Sequence, residues 1–341
     1  MTTNPNSSTA SKYPALLTTD LHLTAHANDS YRWSVFDQLH GLRRTHKART
    51  LIICGDITDA KDNHSAQLIN EIVQALVSFT REGCQVIVLQ GNHDYLLLGH
   101  PFLAFLNQIE GVRFISAPRR IGRWVFLPHS RVLPLPGLDL VDRSVTHCFL
   151  HQTVNGAMAS NGQRMEGELR SRLPMADSCK YFSGDIHVPQ VCGDVEYIGS
   201  PYPVHFGDTY TPRVLVLLDE DEMTQYEWQG LSRVTAQVGG FNELPLHVRP
   251  GDQLKVRLAL SRQDMPEWHE RKREVQAWCD RKGVHLMSVE LLRPAVRKQL
   301  RDDAVPQQRA DVAPPAVLRR YVKDRGIAPQ VADVGLSIVE G

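Results

Sequence analysis

Residues 50–59 read TLIICGDITD, and residues 85–94 read QVIVLQGNHD. Each is a short unbroken apolar run, met by a glycine at once or one residue later and then by a residue with a side-chain oxygen, Asp56 or Asn92. Such runs, rich in Ile and Val, mark strands buried on both faces, as in a parallel sheet. The same ending recurs along the chain. Residues 15–19 lead into Asp20-Leu21-His22, residues 145–150 into His151, and residues 180–183 into Gly184-Asp185-Ile186-His187. Between the strands, residues 64–82 repeat Ile69, Ile72, Val73 and Leu76 on one helical face, and Gly83 is the stop. Residues 101–110 read as a further helix. Residues 112–115, 123–127, 195–198 and 214–218 read as strands. Strand–helix alternation of this kind predicts a layered α/β fold.

In open α/β sheets, ligands bind beyond the carboxyl ends of the strands. Here five such ends carry Asp, Asn or His: Asp20-Leu21-His22, Gly55-Asp56-Ile57-Thr58-Asp59, Gly91-Asn92-His93-Asp94, His151, and Gly184-Asp185-Ile186-His187. Scattered in sequence, they are expected to converge in space. Carboxylate, amide oxygen and imidazole together suit Mn²⁺, Fe²⁺ or Zn²⁺. Two such ions about 3.5–4 Å apart can share a carboxylate. The glycines permit tight turns at the strand ends.

The chain has 341 residues, 42% of them hydrophobic and 22% charged, which excludes a disordered or fibrous protein and leaves room for about two domains. Its 38 basic and 38 acidic residues cancel, which excludes a wholly basic nucleic-acid coat. No apolar run reaches the roughly 18 residues of a membrane span, so no membrane association is expected. Residues 1–12 read as a polar tail without the apolar core of a signal peptide. The six cysteines form no CxxC pair, so no cysteine-based zinc site is expected and reduced thiols of a cytoplasmic protein are.

Beyond residue 226 the pattern changes. Residues 253–260 (QLKVRLAL) alternate like a strand, 265–282 form a charged helix with Trp268 and Trp278 as core residues, and 284–292 are again strand-like: a β-α-β unit. Residues 253–301 hold twelve Lys/Arg against six Asp/Glu, a net +6 that reads either as a solvated face or as a DNA-binding one. A polar, proline-containing stretch follows, then a short amphipathic helix at 316–325 (AVLRRYVKDR) and a last apolar stretch at 331–339. The expected domains are a tail (1–12), a catalytic domain (13–225), a capping domain (226–302), a linker (303–315) and a terminal segment (316–341).

Taken in order, the five segments resemble the calcineurin-like metallophosphoesterases, whose pattern is DxH, GDxxD, GNHD, a lone His, then GHxH. The resemblance covers residues 13–225. It implies a four-layer α/β/β/α sandwich and two divalent metal ions. Asp20, His22 and His187 would bind the first, Asp56 would bridge, and Asn92 and His151 would bind the second. His93 would assist the leaving oxygen without being a ligand, and Asp59 reads as structural. The chain departs from the family at Asp185, where the pattern has His. A carboxylate there adds a hard, charged donor and shifts preference toward Mn²⁺. The alternative is that Asp185 hydrogen-bonds a ligand histidine.

A narrower resemblance rests on Ser183-Gly184-Asp185-Ile186-His187-Val188-Pro189-Gln190, followed by Tyr197-Ile198-Gly199-Ser200-Pro201. These look like the SbcD-type nuclease subunits, in a compact form. That branch implies metal-dependent hydrolysis of DNA, as an exonuclease and also as a structure-specific endonuclease. It also implies work in repair, recombination or replication on double-stranded DNA, an SbcC-like ABC ATPase partner held by residues 316–341, and a homodimer. Lys61 and His64 are candidate DNA-phosphate contacts, with helix capping or solvation as the plainer reading. Two competing functions remain: a phosphoesterase of small diesters or phosphoproteins, and a DNA-binding scaffold weakened at Asp185.

Overall fold

Two six-stranded sheets face each other across a core built by the alternation of short apolar strands. The structure, a computed structural model, describes residues 13–97, 99–167, 173, 179–208, 210–239, 243–245, 247–261 and 263–292. The chain order is β1 (Ala15–Thr18), α1 (Val35–His46), β2 (Thr50–Ile53), α2 (Ala66–Arg81), β3 (Gln85–Leu89), β4 (Val112–Ile115), β5 (Arg119–Ile121), β6 (Trp124–Leu127), β7 (His147–His151), β8 (Lys180–Gly184), β9 (Gln190–Cys192), β10 (Val195–Tyr197), β11 (Arg213–Leu217) and β12 (Met223–Glu227). The first sheet runs β12-β11-β1-β2-β3-β4, and the second β5-β6-β7-β8-β10-β9. β1 to β4 are mutually parallel, and so are β6, β7, β8 and β10. The carboxyl ends that carry the motif residues therefore share an edge within each sheet.

Period-two alternation divides the apolar strands between two cores. Leu17, Ile52, Ile87, Leu89 and Leu215 point from the first sheet onto Trp124, Phe126, Phe149 and Phe182 of the second. Their neighbours Leu16, Leu51, Ile53, Val86 and Val88 point the other way, onto α1 and α2. α2 buries Leu68, Ile72, Leu76 and Phe79 as a stripe at helical spacing, and Ser65 Oγ caps its start by accepting from Leu68 N at 3.1 Å. The expected helix over 101–110 is a 3-10 turn at Phe102–Gln108. α1 was not expected. Its apolar residues Val35, Phe36, Leu39 and Leu42 are buried, and the packing outweighs the helix cost of Gly41. On the outer face of the second sheet, the described residues are loops and a 3-10 turn at Leu138–Leu140.

A third sheet holds β13 (Arg233–Val238), β14 (Gln253–Leu258) and β15 (His285–Leu291), all parallel, with α3 (Trp268–Lys282) between the last two. α3 buries Val275, Trp278 and Cys279 against Val238, Leu254, Val256 and Leu258. β13 was unexpected, since RVTAQV has a weak apolar pattern. The sandwich and this sheet belong to one compact unit ending at Leu292. The expected linker and terminal segment, 303–341, lie outside the described residues, as does the tail, 1–12. Among the described residues, no helix is long and apolar enough to cross a membrane.

Candidate metal centre

All five motif segments leave their strands and meet between the two sheets. Asp20 and His22 follow β1, Asp56 follows β2, Asn92 follows β3, His151 ends β7 and Asp185 follows β8. Asp20 and His151 are fully buried, and Asp56 and His22 nearly so. Asp20, His22, Asp56 and Asp185 all hold left-handed backbone, with φ of 52°, 43°, 52° and 78°. Side chains rarely adopt that region, and such strain is retained where the surroundings over-determine the geometry. Here the site loops lock each other: Asp20 N donates to Gly55 O at 3.1 Å and His22 N to Asp56 O at 2.9 Å.

Two clusters share one carboxylate. On one side, His22 Nε2 lies 3.0 Å from His187 Nε2, 3.7 Å from Asp56 Oδ2 and 3.9 Å from Asp20 Oδ1. On the other, His151 Nε2 lies 3.4 Å from Asp56 Oδ1, 3.1 Å from Asn92 Oδ1 and 3.9 Å from Asp185 Oδ1. Asp56 thus turns one oxygen to each. His151 Nδ1 is 2.7 Å from the Cys54 carbonyl, which accepts from it, so Nε2 is the nitrogen turned toward the site. Asp20, His22 and His187 offer donor atoms within 4.8 Å of one another, and so do Asp20, Asp56 and His151.

The donor set fits divalent cations. Asp20 Oδ2 is buried with no hydrogen-bond partner, a costly state for a carboxylate unless a cation satisfies it. Asn92 Oδ1 meets only acceptors on Asp56 and His151; turned round, the amide would instead donate to both Asp56 oxygens, at 3.1 and 2.8 Å. Glycine keeps the cradle open: a Cβ on Gly55, whose φ is +96°, would stand 2.2 Å from His151 Nδ1, and one on Gly91 would stand 2.1 Å from Asp56 Oδ1.

Electrostatics follow the burial. Burial pushes the Asp20 carboxyl up to about 6, against the pull of His151. Asp56 is buried too, yet His151 and then His22 hold it well below the usual carboxylate range. Burial, with His22 beside it, lowers His187 to about 3, so its ring is a neutral donor. Burial, opposed chiefly by Asp56, acts on His151, and the net is upward.

His93 sits at the rim, half-buried. Its backbone N–H donates to Asp56 Oδ1 at 2.8 Å, and its ring packs edge-on to His22 with centroids 5.0 Å apart. Asp59, read from sequence as structural, places Oδ1 3.3 Å from both His93 Nδ1 and His22 Nδ1. Its hydrogen bond raises His93 to about 9. His22, Asp59 and His93 also offer donor atoms within 4.8 Å of one another. Asp185 is tied on one side, since Thr153 Oγ1 donates to its Oδ2, while its backbone N donates to Asp20 Oδ1 at 3.2 Å. Lys61 is exposed on a turn. His64 Nε2 lies 2.8 Å from Thr58 Oγ1 and its ring stacks on Phe102 at 4.6 Å, so one edge and one face are already engaged.

Two residues carry weight to which the sequence reading gave no role. Asp94 is fully buried and accepts from the backbone N–H groups of Asp56 (2.8 Å), Gly91 (2.8 Å) and Ile57 (3.1 Å), which locks two site loops together. Burial raises its carboxyl to about 7. His129, buried beside His151 with ring centroids 6.2 Å apart, pairs with Tyr95 Oη at 2.9 Å. Burial lowers it to about 4. The Asp94 position could have been suspected from its place in the GNHD segment. His129 carried only a weak signal, as one of three histidines that the sequence leaves open between no role and orienting a metal ligand.

A family model described as calcineurin-like phosphoesterase matches residues 13–189, more than half of the chain. The protein belongs to that family and is a hydrolase of the metallophosphoesterase class. Among curated relatives, it is 23% identical to the SbcD subunit of the nuclease SbcCD from Escherichia coli strain K12, over 83% of this chain and 80% of that one. The same figures hold for the counterpart from Escherichia coli O157:H7. Among solved structures, the Pseudomonas putida nuclease MPE aligns with a TM-score of 0.32 at 14% identity, over 62% of this chain and 87% of that one.

Proposed function

We propose that the chain is a two-metal phosphodiesterase that cleaves double-stranded DNA, as an exonuclease and structure-specific endonuclease, beside an SbcC-like ABC ATPase. The observation that carries the metal reading is Asp56, whose two oxygens face two separate donor clusters. Asp20, His22 and His187 would hold one cation, and Asn92 and His151 the other. The free oxygen of Asp185, 3.9 Å from His151 Nε2, would serve the second. Bound there, divalent cations supply Lewis-acid charge and a nucleophile at neutral pH. An added carboxylate donor favours Mn²⁺ over Zn²⁺.

The protein's own residues supply the rest. Asp59 holds His93 by Nδ1, so Nε2 is the nitrogen that would meet a bound diester. A proton held there is placed for the leaving oxygen of the diester, as general-acid catalysis requires. Asp94 and the glycines keep the loops in the register that this placement needs.

DNA as substrate is supported by the nuclease names of the relatives and by the third sheet's helix. His269, Lys272, Arg273 and Gln276 form one face of α3 and line a shallow surface groove suited to phosphates. Lys61 is a further candidate for the strand, and His64 supports its turn. Leu96, Leu97 and Phe102 are exposed just after the GNHD segment, which favours a second copy of the chain as their cover. All six cysteines are free, which fits the cytoplasm.

The test is cleavage of end-labelled duplex DNA by the purified protein with Mn²⁺, set against a chromogenic small diester. Cleavage of DNA is expected. Turnover of the diester alone would favour a small-substrate phosphoesterase, and DNA binding without turnover of either would favour a scaffold. Deletion of residues 305–341 is expected to keep nuclease activity while abolishing co-purification with the ATPase.

A further inference from the structure

The third sheet meets the sandwich at the segment that leaves the metal centre through His22. Arg233 opens β13, and its side chain is only 8% exposed. It donates to the Val204 carbonyl at 2.6 Å, pairs with Asp29, and lies over the Tyr31 ring with its guanidinium carbon 4.9 Å from the centroid. Gln253 opens β14 and widens the joint: its Nε2 donates to the Asn28 carbonyl at 2.6 Å, and its Oε1 accepts from Arg233 Nε at 2.9 Å.

Asp29 has a second partner. Arg32 Nη2 lies 3.2 Å from the same Oδ1, and Arg32, 5% exposed, donates its other terminal nitrogen to the His22 carbonyl. One carboxylate therefore holds two guanidiniums. One of them ends on the backbone of His22, whose φ is 43°, and the other is rooted in the third sheet. Both also reach the Val204 carbonyl, Arg32 at 3.4 Å. A planar guanidinium can span a carboxylate and a carbonyl together, whereas a lysine ammonium reaches as a single point. Buried charge pairs of this kind are costly to leave half-made, so a change at one member is felt by the next.

We propose that Arg233, acting through Asp29 and Arg32, is a positioning residue for His22, so that the seating of the third sheet and the cation affinity of the His22–His187 cluster are linked. The proposal rests on the metal-binding reading given above. Linkage is reciprocal: if the seated sheet favours the cation, the cation favours the seated sheet by the same factor. A residue that only glued the sheet down would show no such reciprocity.

The experiment uses the full-length protein, with Arg233→Ala, Arg233→Lys, and Arg249→Ala as an exposed-arginine control from the same region. Each is titrated with MnCl₂ by calorimetry, and amide exchange of residues 28–32 and 233–238 is followed with and without Mn²⁺. Arg233→Ala is expected to weaken one Mn²⁺ site about tenfold, within the usual range of coupling, and to leave the other within about twofold. Arg233→Lys is expected to fall between, and Arg249→Ala to match the wild type. Mn²⁺ is expected to slow exchange of both segments in the wild type but not in Arg233→Ala. Unchanged affinity at both sites in Arg233→Ala, with faster exchange of 233–238 regardless of Mn²⁺, would overturn the linkage alone. A wild-type protein that takes up no Mn²⁺ would overturn the metal reading and this inference with it. Asp29→Asn carries the same expectations should the alanine variant not fold.

Discussion

His93 and Asp185 are the two residues whose chemistry separates ligation from assistance. His93 touches Asp56 only through its backbone N–H, and its ring nitrogen is held by Asp59. His93→Ala is therefore expected to bind two Mn²⁺ with near wild-type affinity and to cleave DNA about 10²–10⁴-fold more slowly, the usual range for losing a general acid. Calorimetry beside single-turnover kinetics checks this, and an emptied metal site would show that the ring is a ligand. At Asp185 one oxygen is taken by Thr153 and the other faces His151. Asp185→Ala should weaken one of the two Mn²⁺ sites, and Asp185→His should keep two ions while gaining activity with Zn²⁺. Unaltered stoichiometry and rate in Asp185→Ala would place the carboxylate outside the ligand set. Asp59, read from sequence as structural, gains its particular place only in the folded chain, where its carboxylate lies equally close to two imidazoles.

At the level of elements, the loops after β2 and β3 are joined by Asp94 rather than by their own backbones. Asp94→Ala would leave three buried N–H groups without an acceptor. Each such group costs on the order of 1–3 kcal/mol, so the variant should lose roughly 3 kcal/mol or more in urea unfolding. Ser65→Ala, which removes only the cap of α2, should lose about 1 kcal/mol. Equal losses would mean that the Asp94 clamp is no stronger than an ordinary helix cap. The strands around these loops were legible because each is a continuous apolar run. α1, β5, β9, β12 and β13 were not. They are short or amphipathic only in part, and packing partners distant in sequence decide them. β12, for instance, alternates between half-buried and exposed positions and owes its place to pairing with β11.

The molecule as a whole carries an acid-sensitive joint away from the metal centre. His147 is 1% exposed and lies nearly parallel to Phe149 and Phe182. Trp124 Nε1 donates to Tyr13 Oη at 2.8 Å, leaving that hydroxyl's proton for His147 Nδ1, also at 2.8 Å. Burial lowers this histidine to about 4 from an ordinary 6.5. Between those values the unfolded chain binds a proton that the folded one refuses. The contribution is therefore complete above about pH 6.5 and is lost as pH falls toward 4, roughly 3 kcal/mol in all. Unfolding free energies at pH 7 and 5 should show a steeper decline for the wild type than for His147→Gln. Parallel declines would assign the acid sensitivity to other groups.

Much of this protein could be read from its residues in order. Local chemistry is written locally: apolar runs make strands, glycine allows the turn, and Asp, Asn or His follows at the strand end, so the layered α/β fold and the set of candidate ligands were visible without coordinates. How close those residues come to one another, where Asp59 and Asp94 stand among them, and how far the third sheet reaches toward them were not visible. Those properties depend on distances between segments far apart in the chain, such as Asp29 with Arg233 and His22 with His187. Such distances are set by the packing of two sheets against a common core, and no local pattern encodes them.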